Sequence, residues 1–133
     1  SEVYAKKNNL EIMAYIRGMA ISGCDPKIMG IGPVVSSQKA LKRAGLSLKD
    51  MDFVEMNEAF AAQSLACIDE LDIDMEKLNV HGGAISLGHP LGASGARITG
   101  KAASLLHNHG GRYALSTMCV GGGQGCATVL EKV

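Results

Sequence analysis

Apolar runs of strand length alternate with helix-length segments along this chain, and the alternation breaks only at the end, where two apolar runs follow each other. Leu10 to Ser22 is almost continuously apolar, with Glu11 and Arg17 as its only charges. Its length and Ile/Tyr content predict a long strand buried on both faces. Val34 to Ala44 predicts a helix with Val34, Leu41 and Ala44 on one face, Lys39, Lys42 and Arg43 on the other, and Gly45 closing it. Met51 to Met56 reads as a short strand. Asn57 then precedes a helix over 58–71 in which Phe60, Ser64, Cys67, Ile68 and Leu71 form one buried stripe, with Cys67 as plain core. Leu78 to Val80 reads as a third strand, and Gly95 to His109 as a third helix ended by Gly110 and Gly111. The last two strands, Arg112 to Met118 and Cys126 to Leu130, are joined by so short a connection that they must be antiparallel neighbours. The order β-α-β-α-β-α-β-β predicts an α/β fold, a five-stranded mixed sheet with helices on both faces.

Glycine is concentrated where this pattern turns. The chain has 17 glycines in 133 residues, against an average share of about 7%, and most fall between Gly82 and Gly125. Backbone there must turn tightly or approach something closely. The stretch Asn79 to Arg97 carries His89 at a loop tip, with Pro90 pushing it towards an extended conformation and Gly92 and Gly95 flanking a helix start. A histidine so held can carry a proton or donate a hydrogen bond, although the same pattern suits a plain loop histidine. The helix after it is lined with small residues, and Gly100 in mid-helix costs about 1 kcal/mol relative to Ala, which argues for a packing reason. His107 and His109 suit its C-terminal dipole end.

Two further stations follow strands of the same sheet. Asn57 is a favoured helix N-cap with Glu58 behind it; equally, its amide stands where open α/β sheets place ligands, at the carboxyl end of a strand. Cys119 ends the fourth strand, directly before Val120 and the glycines from Gly121 to Gly125. Bare backbone N–H groups there can stabilise an oxyanion and make a thiol a usable acid or base. No Gly-Lys-Ser/Thr sequence supports a phosphate loop, and Cys119, Cys126 and His89 lack metal-ligand spacing, so no metal is expected.

Thirteen basic and thirteen acidic residues give no net charge, and nothing in their distribution suggests nucleic acid or an anionic membrane as a partner. No apolar run approaches ~18 residues, and no charged-then-apolar leader opens the chain. Four cysteines without a C-x-x-C pairing read as reduced thiols, which fits a cytoplasmic protein. The start, Ser-Glu-Val-Tyr-Ala-Lys-Lys, has no initiator methionine and reads as the middle of a longer protein.

Asn57-Glu-Ala-Phe-Ala-Ala-Gln63, Gly88-His-Pro-Leu-Gly-Ala-Ser-Gly-Ala-Arg97 and Cys119-Val-Gly-Gly-Gly-Gln-Gly125 resemble the three C-terminal signatures of the thiolases, in the family's order and spacing. The resemblance covers essentially the whole chain. The Ala-Ala-Gln, Gly-Ala-Ser-Gly and Gly-Gly-Gly variants, with Ile28-Met-Gly-Ile-Gly-Pro33 upstream, are most similar to the biosynthetic acetyl-CoA acetyltransferases. The resemblance implies residues 1–133 as a single thiolase C-terminal domain, without the N-terminal half and its CoA-binding loop. It implies condensation of two acetyl-CoA to acetoacetyl-CoA, and the reverse thiolysis, in a homo-oligomer. Coenzyme A is then a substrate carrier, and no cofactor is expected. His89 would activate a nucleophilic cysteine, Cys119 would move the α-proton, and Asn57 would hold a water that forms one oxyanion hole with His89. The Gly121 N–H would contribute to the other, while Met29 lines the acyl pocket and Phe60 belongs to the substrate-binding set. Cys24, Cys67 and Cys126 do not sit in a setting like the nucleophile's, so this chain would supply acid–base and oxyanion groups without the acylated thiol. The competing expectations are a non-catalytic thiolase-fold module for binding or assembly, and a ketoacyl synthase domain with a Gly-His-x-x-Gly-Ala loop.

Overall fold

In the computed structural model, which describes residues 1–133, a four-stranded sheet carries helices on both faces. After a short helix, α1 (Glu2–Lys7), come strand β1 (Ala14–Gly23), a 3₁₀ segment (Pro26–Ile31) and α2 (Gly32–Ala44). Then follow β2 (Phe53–Met56), α3 (Ala61–Leu71), a single helical turn α4 (Ala84–Leu87), and the long helix α5 (Leu91–His109). Strands β3 (Tyr113–Val120) and β4 (Gln124–Lys132) close the chain. The strand order is β1-β4-β3-β2. β2 and β3 are parallel, and β4 runs antiparallel between β3 and β1. The α/β class, the mixed sheet and the terminal antiparallel pair are therefore as expected.

The sheet has four strands rather than five. The third expected strand, Leu78 to Val80, is reduced to a single parallel bridge between Val54 and Leu78. Asn79 takes a left-handed conformation (φ 45°) that ends the extended run. Its side chain replaces the missing ladder: Oδ1 accepts from the Met56 N–H at 2.9 Å and Nδ2 donates to the Met56 carbonyl at 2.9 Å.

Alternation along the strands divides the core by face. Ala20, Val54, Leu115, Ala127 and Val129 pack with Ala40 and Leu41 of α2, and Met56 packs with Val34 and Cys67 of α3. Phe53, Ala114 and Leu130 point the other way, against Ala102 and Leu106 of α5. β1 departs from expectation, because it starts only at Ala14, forms a sheet edge and is buried on one face alone. Gly18, Ala20 and Ser22 are covered by α2, whereas Met19 and Ile21 are 55% and 72% exposed. α5 lies over the strands at the other side of the sheet and leaves that flank open. Gly18 is needed here, since a Cβ would stand 2.6 Å from the Ala40 carbonyl oxygen.

α2 ends at Gly45, in the left-handed conformation (φ 71°). The remaining boundaries differ. α3 begins at Ala61 with Phe60 as its N-cap, so Asn57 caps nothing and Phe60, 62% exposed, leaves the buried stripe. α5 begins four residues early, at Leu91, because Pro90 serves as its N-cap. It is buried along one stripe only (Ser94, Ile98, Ala102, Leu105, Leu106), and a Cβ on Gly100 would meet open space. The packing reason expected for Gly100 is not within this chain.

Candidate active site

Asn57 and His89 meet at the carboxyl end of β2. The Asn57 N–H donates to the Thr117 carbonyl at 3.0 Å, which carries the β2–β3 ladder one residue further. Asn57 is wholly buried and its Nδ2 lies 3.4 Å from His89 Nε2. The other ring nitrogen, Nδ1, lies 2.6 Å from Ser94 Oγ, whose hydroxyl also reaches the Pro90 carbonyl at 3.3 Å. An amide nitrogen can only donate, so Nε2 carries the free lone pair and Nδ1 carries the proton. Ser94 Oγ then accepts from Nδ1–H, and its own hydroxyl donates a hydrogen bond to the Pro90 carbonyl. The ring is locked by the first turn of α5, with its basic nitrogen turned to Asn57. That is the state of a ready proton acceptor.

Glu58 fixes the loop on the other side. Its carboxylate accepts from the Ile85 N–H at 2.9 Å and from Asn79 Nδ2 at 3.0 Å. It also fills the space beside Gly83, where a Cβ would stand 2.2 Å from the carboxylate carbon. Neither Ser94 nor Glu58 was singled out from sequence as part of the site. The signal for Ser94 was its place one turn into the helix after His89-Pro90.

Cys119 ends the neighbouring strand, β3, at the same edge of the sheet, buried and pairing with Gly125. No side-chain hydrogen bond joins it to Asn57 or His89. Burial pushes its thiol up from the usual cysteine value, as it does for Cys67 and Cys126, so at neutral pH it is a proton donor rather than a thiolate. Gly121 opens the hairpin beyond it, with nothing within 4 Å of where a Cβ would be. Gly122 and Gly123 turn the chain with φ of 85° and 82°. The Gly123 carbonyl accepts from the Cys24 N–H at 2.7 Å, which docks the 3₁₀ segment bearing Met29 against the glycine hairpin. Met29 is half-buried there. Phe60 stands exposed three residues beyond Asn57. The arrangement thus joins Asn57 directly to His89, sets Cys119 and Gly121 on the adjacent strand end, and leaves Met29 and Phe60 on flanking segments. No group of three or more His, Cys, Asp or Glu residues is placed to hold a metal.

Residues 10–132 match the family model described as "Thiolase, C-terminal domain". This chain belongs to the thiolase family. It is 58% identical to a 3-ketoacyl-CoA thiolase of Vibrio vulnificus (strain YJ016), over 99% of this chain and 35% of that protein. It is 57% identical to the mitochondrial 3-ketoacyl-CoA thiolase of Homo sapiens, over 98% of this chain and 33% of that protein. The crystal structure of human mitochondrial 3-ketoacyl-CoA thiolase superposes with a TM-score of 0.97 at 56% identity, covering 100% of this chain and 34% of that one. The Bacillus anthracis acetyl-CoA acetyltransferase gives 0.96 at 47% identity, again over 100% and 34%. This thiolase chain spans about a third of the length of the curated relatives it matches.

These relatives correct the subfamily. The expected likeness to the biosynthetic acetyl-CoA acetyltransferases gives way to 3-ketoacyl-CoA thiolases at 56–58% identity. The residues behind that expectation serve the scaffold. Gly30 lets Gln63 pack close, with a Cβ there only 2.6 Å from Gln63 Cγ. The start of α2 and β4 touch backbone to backbone: a Cβ on Gly32 would stand 2.3 Å from the Gln124 carbonyl oxygen, and one on Gly125 2.1 Å from the Gly32 carbonyl oxygen. Constraints of this kind belong to the fold and carry no information on acyl length.

Proposed function

We propose that this chain is the C-terminal catalytic part of a longer 3-ketoacyl-CoA thiolase, which cleaves 3-ketoacyl-CoA with coenzyme A and runs the Claisen condensation in reverse. The observation that carries the reading is the Asn57–His89 contact, with Nε2 unprotonated, on a thiolase C-terminal fold. In this reading His89 Nε2 takes the proton of a cysteine thiol contributed by the rest of the enzyme. The Asn57 amide and His89 then stabilise charge on the bound thioester oxygen. Cys119, held as a thiol by burial, donates to the α-carbon of the leaving acetyl group during thiolysis and recovers that proton in condensation. The Gly121 N–H serves the second oxyanion, and Met29 and Phe60 border the acyl and pantetheine path.

The open flank supports the same proposal. Met19 and Ile21 on β1 are exposed and Gly100 of α5 faces open space, and a further domain of the same enzyme would cover them. No helix of this chain is long and apolar enough to cross a membrane.

The test is the complete protein, assayed by the CoA-dependent loss of a 3-ketoacyl-CoA substrate. Acylation of the enzyme by acetyl-CoA, which breaks no carbon–carbon bond, should survive Cys119→Ser while thiolysis turnover falls by orders of magnitude. Normal turnover in that variant removes Cys119 from the mechanism, and no turnover in the unsubstituted protein defeats the reading and leaves a non-catalytic thiolase-fold module.

A further inference from the structure

Glu55 occupies a place that packing would give to an apolar residue. It lies in β2 between Val54 and Met56, on the same face as Phe53, which packs against α5. The residue is completely buried and both carboxylate oxygens lack a hydrogen-bond partner. On α5, one turn beyond Ser94, Arg97 buries its Nε and Nη2 atoms, also without a partner. The Asn57 Oδ1 atom is the fifth such atom. Asn57 follows Glu55 by two residues and so projects to the same side of the strand. All the buried, unpartnered side-chain nitrogen and oxygen atoms of this chain therefore fall in one layer between β2 and the first half of α5. They number three acceptors and two donors.

The other charges facing Glu55 are Lys101 of α5 and Glu58 of the loop after β2. Lys101 is engaged with His81 Nδ1 at 2.5 Å, and Glu58 with Asn79 and the Ile85 N–H. The neighbouring β3 residue, Ser116, pairs with Thr99 at 3.1 Å and does not titrate. Arg97 is left as the donor available to Glu55, and its planar fork suits two acceptors at once.

We infer that Arg97 and Glu55 act as a buried pair of positioning residues, in which Arg97 draws Glu55 and the Asn57 carbonyl towards α5 and so aims the Asn57 amide at His89 Nε2. Ser94, which holds the other side of the ring, lies in the buried stripe of α5, and the half-buried Arg97 stands beside that stripe three residues later. One helix then positions both partners of His89. The catalytic consequence rests on the thiolase reading above; the positioning itself does not. Burial raises the Glu55 carboxyl to about 7 against the opposing pull of Arg97 and Lys101, so the pair forms as pH rises through neutrality.

The test compares Glu55→Gln, Glu55→Leu and Arg97→Met in the complete protein, each first checked for native circular dichroism. Displacing a catalytic amide by a fraction of an ångström should lower kcat about tenfold at pH 8 and leave KM unchanged. The acid-side fall of kcat near pH 7 should disappear in Glu55→Gln, because the amide does not titrate. In parallel, the NMR cross-peak between the Asn57 side-chain amide and the His89 ring should weaken in both Glu55→Gln and Arg97→Met. If Glu55→Leu fails to fold, the isosteric Gln variant still decides. Unchanged kcat and an unchanged cross-peak in Glu55→Gln overturn the inference. So does a rise in KM at constant kcat, which would mark a binding role. Should the unsubstituted protein show no thiolysis, the functional reading falls, and the cross-peak alone decides the positioning.

Discussion

The two faces of the sheet are built to different rules. Under α2 and α3 the core is closed, with Leu115, Val129, Met51 and Ala40 all at or below 1% exposure, and its buried polar groups are paired, as Ser37 Oγ is with Thr117 Oγ1 at 3.0 Å. Under α5 an apolar end, around Leu106 and Ala114, gives way to Thr99, Ser116, Glu55 and Asn57. The flank beside it is left open at Met19 and Ile21. The first face supplies folding free energy. The second spends part of it to hold polar groups out of water beside His89. Burying unpartnered polar atoms costs stability, and this molecule confines that cost to the face that carries chemistry.

Substitutions on each face should separate these roles. The largest effect belongs to His89→Ala in the complete protein, where losing the proton acceptor should lower kcat by about 10²–10⁴-fold with the fold intact. Single-turnover acylation assays check it, and full activity would remove His89 from the mechanism. On the closed face, Leu115→Ala should cost about 2–5 kcal/mol in denaturant unfolding, with turnover per folded molecule unchanged. Equal losses of activity and stability there would erase the distinction between the faces.

Glu55 provides a pH-dependent version of the comparison. Its folded-state value, about 7, lies above the ordinary 4.5, so the folded state binds the proton more tightly than the unfolded one. Stability is then greatest below about pH 4.5 from this group, declines as pH rises towards 7, and is flat above. Glu55→Leu should flatten that slope and raise stability at pH 8 by at most about 3 kcal/mol, read from urea midpoints across pH. A wild-type slope in that variant would mean that the carboxylate is solvated. The smallest effect is Gly100→Ala, which meets open space here. It should stabilise the chain alone by about 1 kcal/mol in thermal unfolding. In the complete protein it should gain nothing, or lose, if another domain's backbone lies against it.

Much of this fold could be read in advance because its rules are local. The helix expected from Val34 to Ala44, which the structure begins two residues earlier at Gly32, its Gly45 stop and the β3–β4 hairpin follow from periodicity, a left-handed glycine and a short connection. Asn57 and Cys119 stand at the carboxyl ends of β2 and β3, as their places in the apolar runs imply, whereas His89 follows the helical turn Ala84–Leu87 and reaches Asn57 without a strand before it. The false third strand had a local cause too. Three apolar residues resemble a strand, but Asn79 at φ 45° turns the backbone and pairs through its side chain instead. Burial on both faces of β1 was misjudged for a non-local reason, since an apolar run does not say whether a helix lies over it.

The sequence by itself determined the class of fold and the thiolase family, though not the subfamily, because strand alternation, turn chemistry and signature spacing are properties of neighbouring residues. It could not determine the tautomer of His89, which depends on Ser94 and Asn57 arriving on opposite sides of the ring from different elements. Nor could it show that Glu55, one acid in an apolar strand, faces Arg97 across forty-two positions of chain. Contacts of that kind are set by how α5 crosses the sheet, and only the tertiary structure decides that.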